Sequence, residues 1–240
     1  MKEAMLYEKI EDKKVKCNLC NHRCIILPSK RGICGVRENQ DGTLYTLVYE
    51  RLVSANIDPI EKKPFFNFYP GTQSYSISTV GCNFRCLHCQ NYEISQMPKD
   101  RKGMITGDAV KAEEIVASAE KSGCKSIAYT YTEPTIFFEY AYDTAMLANK
   151  KGLKNVFVTN GYMTKEALTL IKPYLDAANV DLKFFDEKTH QKICGAKVSH
   201  VLDTIKLMHE YNIWVEVTTL IITTLNDSDD ELKQIAEFVY

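Results

Sequence analysis

From residue 74 onward, apolar or β-branched runs alternate with helical segments, and that rhythm limits the possible folds more than any other feature. The runs are "SYSISTV", "KSIAYTY", "KNVFVT", "AANVDLK" and "IWVEVTTLII". Between and after them, helices are expected over roughly 107–122, 134–150, 164–172, 198–210 and 228–240. Punctuation supports these segments. Gly123 and Gly152 fall where helix-ending glycines belong, Thr164 can cap a start, and Ser228 to Glu231 have capping-box spacing. Strands alternating with helices imply an α/β fold with a parallel sheet, either doubly wound or a barrel. In both architectures chemistry gathers at the C-terminal ends of the strands. There the polar residues fall: a cysteine loop after the first strand, "TEP" after the second, "TNG" after the third and "DLK" at the fourth.

Residues 1–73 read differently and are taken as a separate N-terminal module, with 74–240 as the strand–helix domain. A charged start precedes a cysteine cluster and two short strand-like runs, "TLYTLVY" and "RLVSANI". The segment "DPIEKKPFFNFYPGT" follows, which Pro59, Pro64 and Pro70 make extended rather than helical. It is a candidate cover for the barrel mouth or its open side, or a hydrophobic plug over the sheet.

Lys and Arg number 30 against 31 Asp and Glu, so no global field favours nucleic acid or an anionic membrane. The charged start excludes a signal peptide, and no apolar run reaches membrane-spanning length, so a cytoplasmic location is expected. In that compartment the nine cysteines serve better as metal ligands and free thiols than as disulfides.

Cys82, Cys86 and Cys89 in "GCNFRCLHC" form C-x3-C-x2-C. Thiolates suit zinc, Cu(I) or iron–sulfur clusters. A structural zinc takes four protein ligands, which His88 or another cysteine would have to complete. Three cysteines on one tight loop can instead wrap a corner of a [4Fe–4S] cluster and leave one iron open. Cys17, Cys20, Cys24 and Cys34, with Gly32 and Gly35 for turns, suit a closed zinc site or a second iron–sulfur cluster, and His22 is in reach but superfluous.

The C-x3-C-x2-C loop at the end of the first strand resembles the radical S-adenosylmethionine (SAM) superfamily. The four-Cys start with "GICGVREN", then "DPIEKKPFFNFYPGT", then "STVGCNFRCLHCQNYEISQ", resembles the radical SAM enzymes of the AmmeMemoRadiSam system, relatives of the pyruvate formate-lyase activating enzyme. The resemblance runs from about residue 15 to the end. It implies a partial (β/α)6 barrel, of which five βα units are visible, so the chain is expected to stop short of a sixth strand. It further implies SAM at the open iron and reductive cleavage to a 5′-deoxyadenosyl radical. An external electron donor of flavodoxin or ferredoxin type is implied, as is association with Memo-like and AMMECR1-like proteins.

The resemblance also assigns cofactor contacts. Tyr131, Thr132 and Glu133 stand in the segment that receives the methionyl ammonium, although Tyr131 and Thr132 replace two glycines. Asp181 and Lys183 match the SAM-contacting pair of the glycyl-radical-activase branch, Thr159 and Asn160 lie on the same face, and His88 takes the position beside the adenine. Each has a plainer reading: a helix start at Glu133–Pro134, a turn at "TNG", a surface ion pair at "DLK". Cys124 and Cys194, the latter in an interhelix turn, are expected to be structural. His190, His200 and His209 are expected to be surface or satisfied side chains, and Trp214 a core residue. The competing function is a non-catalytic metal-binding interaction protein. A SAM methyltransferase by polar chemistry lacks the glycine-rich loop it needs.

Overall fold

The computed structural model describes residues 1–240. Its centre is a six-stranded sheet. β1 (Ser54–Pro59) runs antiparallel to β2 (Gln73–Ser78). β3 (Ser126–Tyr129), β4 (Lys154–Thr159), β5 (Ala177–Asp181) and β6 (Trp214–Thr218) follow in parallel, giving the order β6-β5-β4-β3-β2-β1. The helices are α1 (Tyr92–Asp100), α2 (Ala112–Lys121), α3 (Phe138–Lys150), α4 (Lys165–Ile171), α5 (Glu187–Cys194), α6 (Val198–Glu210) and α7 (Asp229–Val239). The five parallel strands and the helices after them make the α/β partial barrel that the rhythm of the chain implies.

Period-two alternation explains how the sheet is used. Tyr129, Phe157, Ala178 and Val180 point into a large apolar core shared with the helices. On the opposite face Ser76, Ala128, Val156 and Ala177 lie side by side in register. These small residues leave room, and the Pro-punctuated segment fills it: Ile60 and Phe65 form a second buried cluster with Ala128, Val156 and Ala177. The segment is therefore a plug across the concave face. It reaches the last two strands: the Pro64 carbonyl accepts from Asn179 Nδ2 on β5 at 3.1 Å, and the Phe66 and Asn67 amides donate to the Glu216 carboxylate on β6 at 2.8 and 3.1 Å. It is not wholly extended, because Ile60–Lys62 form one 3-10 turn.

A buried charge pair anchors the plug. Asp58 meets Lys63 at 2.8 Å and Lys62 at 2.7 Å, and accepts from the Tyr131 hydroxyl at 2.6 Å. Burial alone would raise the Asp58 carboxyl, but these partners outweigh it and hold it well below the usual carboxylate range.

The N-terminal residues form two small antiparallel sheets, one from Lys2–Glu3, Arg37–Gln40 and Thr43–Thr46, the other from Tyr7–Lys9, Val15–Cys17 and Ile25–Ile26. Their apolar residues Val15, Leu19, Val36 and Leu44 join the same core as the barrel.

Several local expectations change. The first helix after the cysteine loop, α1, was hidden by Pro98 and by its polar content. The segment over 107–122 becomes helical only at Ala112, because Asp108–Ala109 pairs as a strand with Arg51–Leu52. The Ser228 side chain accepts the Glu231 amide, but the Glu231 carboxylate turns to the Phe185 amide at 2.5 Å instead of closing a box. Trp214 is 48% exposed on the edge strand, not core, with its indole donating to Glu216 at 3.1 Å.

Candidate functional site

Chemistry-bearing loops meet at the C-terminal ends of β2 to β5. After β2 the chain turns through Gly81, whose φ is +103°. A Cβ there would lie 2.5 Å from Val36 Cγ1 and 3.3 Å from the Cys34 carbonyl, so only glycine lets the loop press against the N-terminal module. The loop then presents three thiols in different settings. The Phe84 amide donates to Cys82 Sγ at 3.4 Å, and Asn160 Nδ2 lies 4.0 Å from the same sulfur. Cys89 Sγ is 3.4 Å from Ser95 Oγ on α1. Cys86 faces Cys194. Burial, then Glu133, pushes Cys82 up; the hydrogen bond with Cys194, then burial, raises Cys86.

The second loop carries "TEP". Tyr131 has φ of +61°, so it keeps the left-handed backbone that a glycine would adopt, at a cost of about 1–2 kcal/mol. Thr132 Oγ1 donates to the Thr79 carbonyl at 3.0 Å, and the Tyr131 carbonyl accepts from Asn91 Nδ2 at 2.7 Å. Glu133 is fully buried, and its carboxylate is engaged: Oε1 accepts from Thr135 N, Thr135 Oγ1 and Thr159 Oγ1, and Oε2 from the Asn160 amide at 2.8 Å. Burial raises its pKa, and those four donors oppose the shift. Glu133 therefore ties the ends of β3 and β4 together with its side chain.

The third and fourth strand ends reach the cysteine loop directly. Asn160 Nδ2 donates to Asn83 Oδ1 at 2.7 Å. Lys183 pairs with Asp181 at 2.8 Å. Burial pulls the Lys183 ammonium down, but the charges of Asp181 and Cys86 more than offset it and raise its pKa. The ammonium stays charged. His88 is edge-on to Phe184, with ring centroids 6.1 Å apart, and burial followed by the nearby Lys183 charge lowers its pKa. Both His88 ring nitrogens and Asn83 Nδ2 are buried without a protein partner. Orphaned donors and acceptors beside three thiols are the mark of a site built to receive another group.

The N-terminal thiols sit behind this loop. Cys17, Cys20, Cys24 and Cys34 line one cavity together with His22 and Arg37. Burial, then the neighbouring Cys17 and Cys34, raises Cys20, and burial pushes Cys34 up to about 11. Arg37 is buried, pairs with Glu139 and approaches Cys17 Sγ at 3.9 Å. The module clasps the site from outside. His22 Nε2 is 2.9 Å from the Asn83 carbonyl, the Asn21 amide donates to Tyr162 O at 3.0 Å, and Arg23 makes two 2.9 Å bonds to Glu166.

Two residues read as bystanders in the sequence lie at the site. Cys194 is not in a turn but is the last residue of α5, fully buried beside Cys86. His190, one turn earlier, is equally buried; its Nδ1 pairs with the Ala196 carbonyl at 2.7 Å, and its Nε2 has no partner. The signal that could have found them is the i, i+4 spacing of His190 and Cys194, which puts both on one helix face. Cys124 is buried, as a small structural hydrophobe should be.

A parallel α/β partial barrel with a three-cysteine loop after its first parallel strand defines a class, and comparison with known proteins agrees. The radical SAM superfamily pattern matches residues 76–239, over half of the chain, and this chain belongs to that superfamily. An uncharacterized protein of Methanocaldococcus jannaschii is 48% identical over 239 residues, covering 100% of this chain and 70% of that protein. The pyruvate formate-lyase-activating enzyme of Clostridium pasteurianum is 23% identical over 166 residues, covering 66% of each chain. Among solved structures, SuiB of Streptococcus suis bound to S-adenosylmethionine shares the fold, with a TM-score of 0.52 and 15% identity over 67% of this chain and 36% of that one. The chain is thus a radical SAM enzyme related to glycyl-radical activating enzymes, and cluster binding and SAM cleavage follow from the superfamily. No helix is long and apolar enough to cross a membrane.

Proposed function

We propose that Cys82, Cys86 and Cys89 hold a [4Fe–4S] cluster whose open iron takes SAM, within an AmmeMemoRadiSam-type enzyme of the cytoplasm. The observation that carries this reading is the convergence of Asn160, Asp181 and Lys183 on one three-thiol loop whose His88 nitrogens and Asn83 amide lack partners. Bound there, the cluster and SAM supply a 5′-deoxyadenosyl radical able to abstract hydrogen from a substrate.

The chain's own residues do the rest. Asp181 and Lys183 offer a fixed acceptor and donor to the cofactor's polar groups, and the backbone of Tyr131 and Thr132 offers carbonyls to its ammonium. Thr159, through Glu133, holds the strand ends in place, and His88 supplies a flat ring beside the adenine. The plug closes the lower part of the barrel against water, which a reactive radical requires. Cys17, Cys20, Cys24 and Cys34 hold a separate metal centre, zinc or a second iron–sulfur cluster, which metal analysis distinguishes. The electron comes from an external flavodoxin or ferredoxin type donor, and Memo-like and AMMECR1-like proteins are the partners to test for binding.

The test is anaerobic reconstitution with iron and sulfide, reduction with dithionite in the presence of SAM, and chromatography for 5′-deoxyadenosine. Deoxyadenosine is expected from the wild type and not from Cys86→Ala. Turnover that survives Cys86→Ala would overturn the ligand assignment. A chain that binds metal but never cleaves SAM would point to the interaction protein instead.

A further inference from the structure

Cys194 has no part in the reading above, yet it is positioned with care. The cysteine loop is hydrogen-bonded to the end of α5: the Arg85 amide donates to the Cys194 carbonyl and the Leu87 amide to the Ile193 carbonyl, both at 3.0 Å. These bonds fix the loop's register against the helix terminus. As a result one ligand atom each from Cys86, His88 and Cys194 lies within 4.8 Å of the other two. Cys194 is fully buried, and neither ring nitrogen of His88 has a hydrogen-bond partner although both are shielded from solvent.

Two sulfurs and one imidazole nitrogen form a soft donor set, the kind that selects zinc over magnesium or calcium. Buried polar atoms are rarely left unsatisfied, and a metal ion bound by the two sulfurs would give a partner to one of the orphaned His88 nitrogens. We infer that Cys86, His88 and Cys194 form a binding site for a single zinc-type divalent ion in the cluster-free chain. Cys86 cannot serve this ion and the proposed cluster together. The ion therefore holds the loop in a metal-bound resting form that cluster assembly has to displace. That exclusion rests on the cluster reading of Cys86, whereas ion binding by the trio does not.

The experiment uses the whole chain, purified free of iron, reduced and kept anaerobic, with Co2+ as the spectroscopic probe. The wild type is expected to take up one more equivalent of Co2+ than Cys194→Ser, with additional thiolate-to-cobalt absorption. His88→Ala, at a half-exposed position, is expected to lose the same equivalent and guards against a folding failure of the first variant. Zinc added before iron and sulfide should slow cluster assembly in the wild type and leave its rate in Cys194→Ser unchanged. Equal cobalt stoichiometry in the wild type and both variants would overturn the site. Equal zinc inhibition of assembly in the wild type and Cys194→Ser would overturn the exclusion. If the extra cobalt equivalent is present but no cluster ever assembles, the ion site stands and the radical SAM ligand assignment fails.

Discussion

The two sets of cysteines lie on either side of one loop, and their surroundings differ. Cys17, Cys20, Cys24 and Cys34 close around a cavity walled by Leu19, Ile26 and Ile136, with Arg37 nearby as a counter-charge. Cys82, Cys86 and Cys89 stand at the strand ends, facing Asn160, Asp181 and Lys183 and partnerless histidine nitrogens. Four thiols around one cavity suit a centre that supports the fold, whereas three thiols with polar neighbours leave a position for a reacting molecule. The roles proposed for the two sets rest on ligand number and polar surroundings, not on cysteine content.

The largest effect on folding is expected from the closed set. If the N-terminal cysteines hold the proposed metal, Cys20→Ala should remove it and destabilise the chain by an amount on the order of 10 kcal/mol, enough to prevent folding. Metal analysis and thermal melting check this, and an unchanged melt with unchanged metal would erase the distinction between the two sets.

A smaller loss should follow Arg37→Met, which strands the Glu139 carboxylate in the core without its cation. Breaking a buried pair from one side costs about 3–5 kcal/mol. On the proposed assignment, the N-terminal metal should bind more weakly while the iron content of the cysteine loop stays the same. Equal losses at both centres would show that they are one cooperative unit.

Next comes the plug. Asp58→Asn should cost about 3 kcal/mol near neutral pH by leaving Lys63 buried and unpaired. Because the Asp58 carboxyl is depressed in the fold, its stabilisation is fully present above the unfolded value of about 3.9 and is lost as pH falls below it. The wild type should therefore lose stability on acidification below about pH 4 more steeply than Asp58→Asn. Denaturant melts at neutral pH and at pH 3 check the sign, and parallel curves would remove Asp58 from the account.

The smallest effect on folding belongs to the open set. Cys86→Ala removes one sulfur from a loop held by backbone bonds and should cost only about 1 kcal/mol, although deoxyadenosine formation falls to background. A severe loss of stability in that variant would mean that the loop thiols also support the fold.

Much of the barrel was legible because parallel strands covered on both faces read as continuous apolar runs. "KNVFVT" corresponds to β4 without adjustment, and α6 spans Val198–Glu210 as its periodicity implies. Thr164 caps α4 by accepting the Ala167 amide. The misses share a cause. α5 buries only His190, Ile193 and Cys194, so its periodicity depends on a histidine that no hydropathy pattern counts as apolar. α1 is short and contains Pro98. β1 was seen as strand-like, but nothing local shows that it pairs antiparallel with β2.

What the sequence by itself determined is the element types and the chemistry on offer: β-branched runs, capping residues, soft thiols in two spacings, and a nearly neutral surface. These depend on forces acting over a few residues along the chain, such as backbone propensity, side-chain alternation and capping hydrogen bonds. Only the tertiary structure decided which groups meet. Cys194 reaches Cys86 because α5 ends against the loop, the plug crosses the sheet because small residues leave it space, and the N-terminal module seats on the loop because Gly81 has no side chain. Such contacts join residues far apart in sequence, and their geometry exists only once strand register and burial have been fixed for the whole sheet at once.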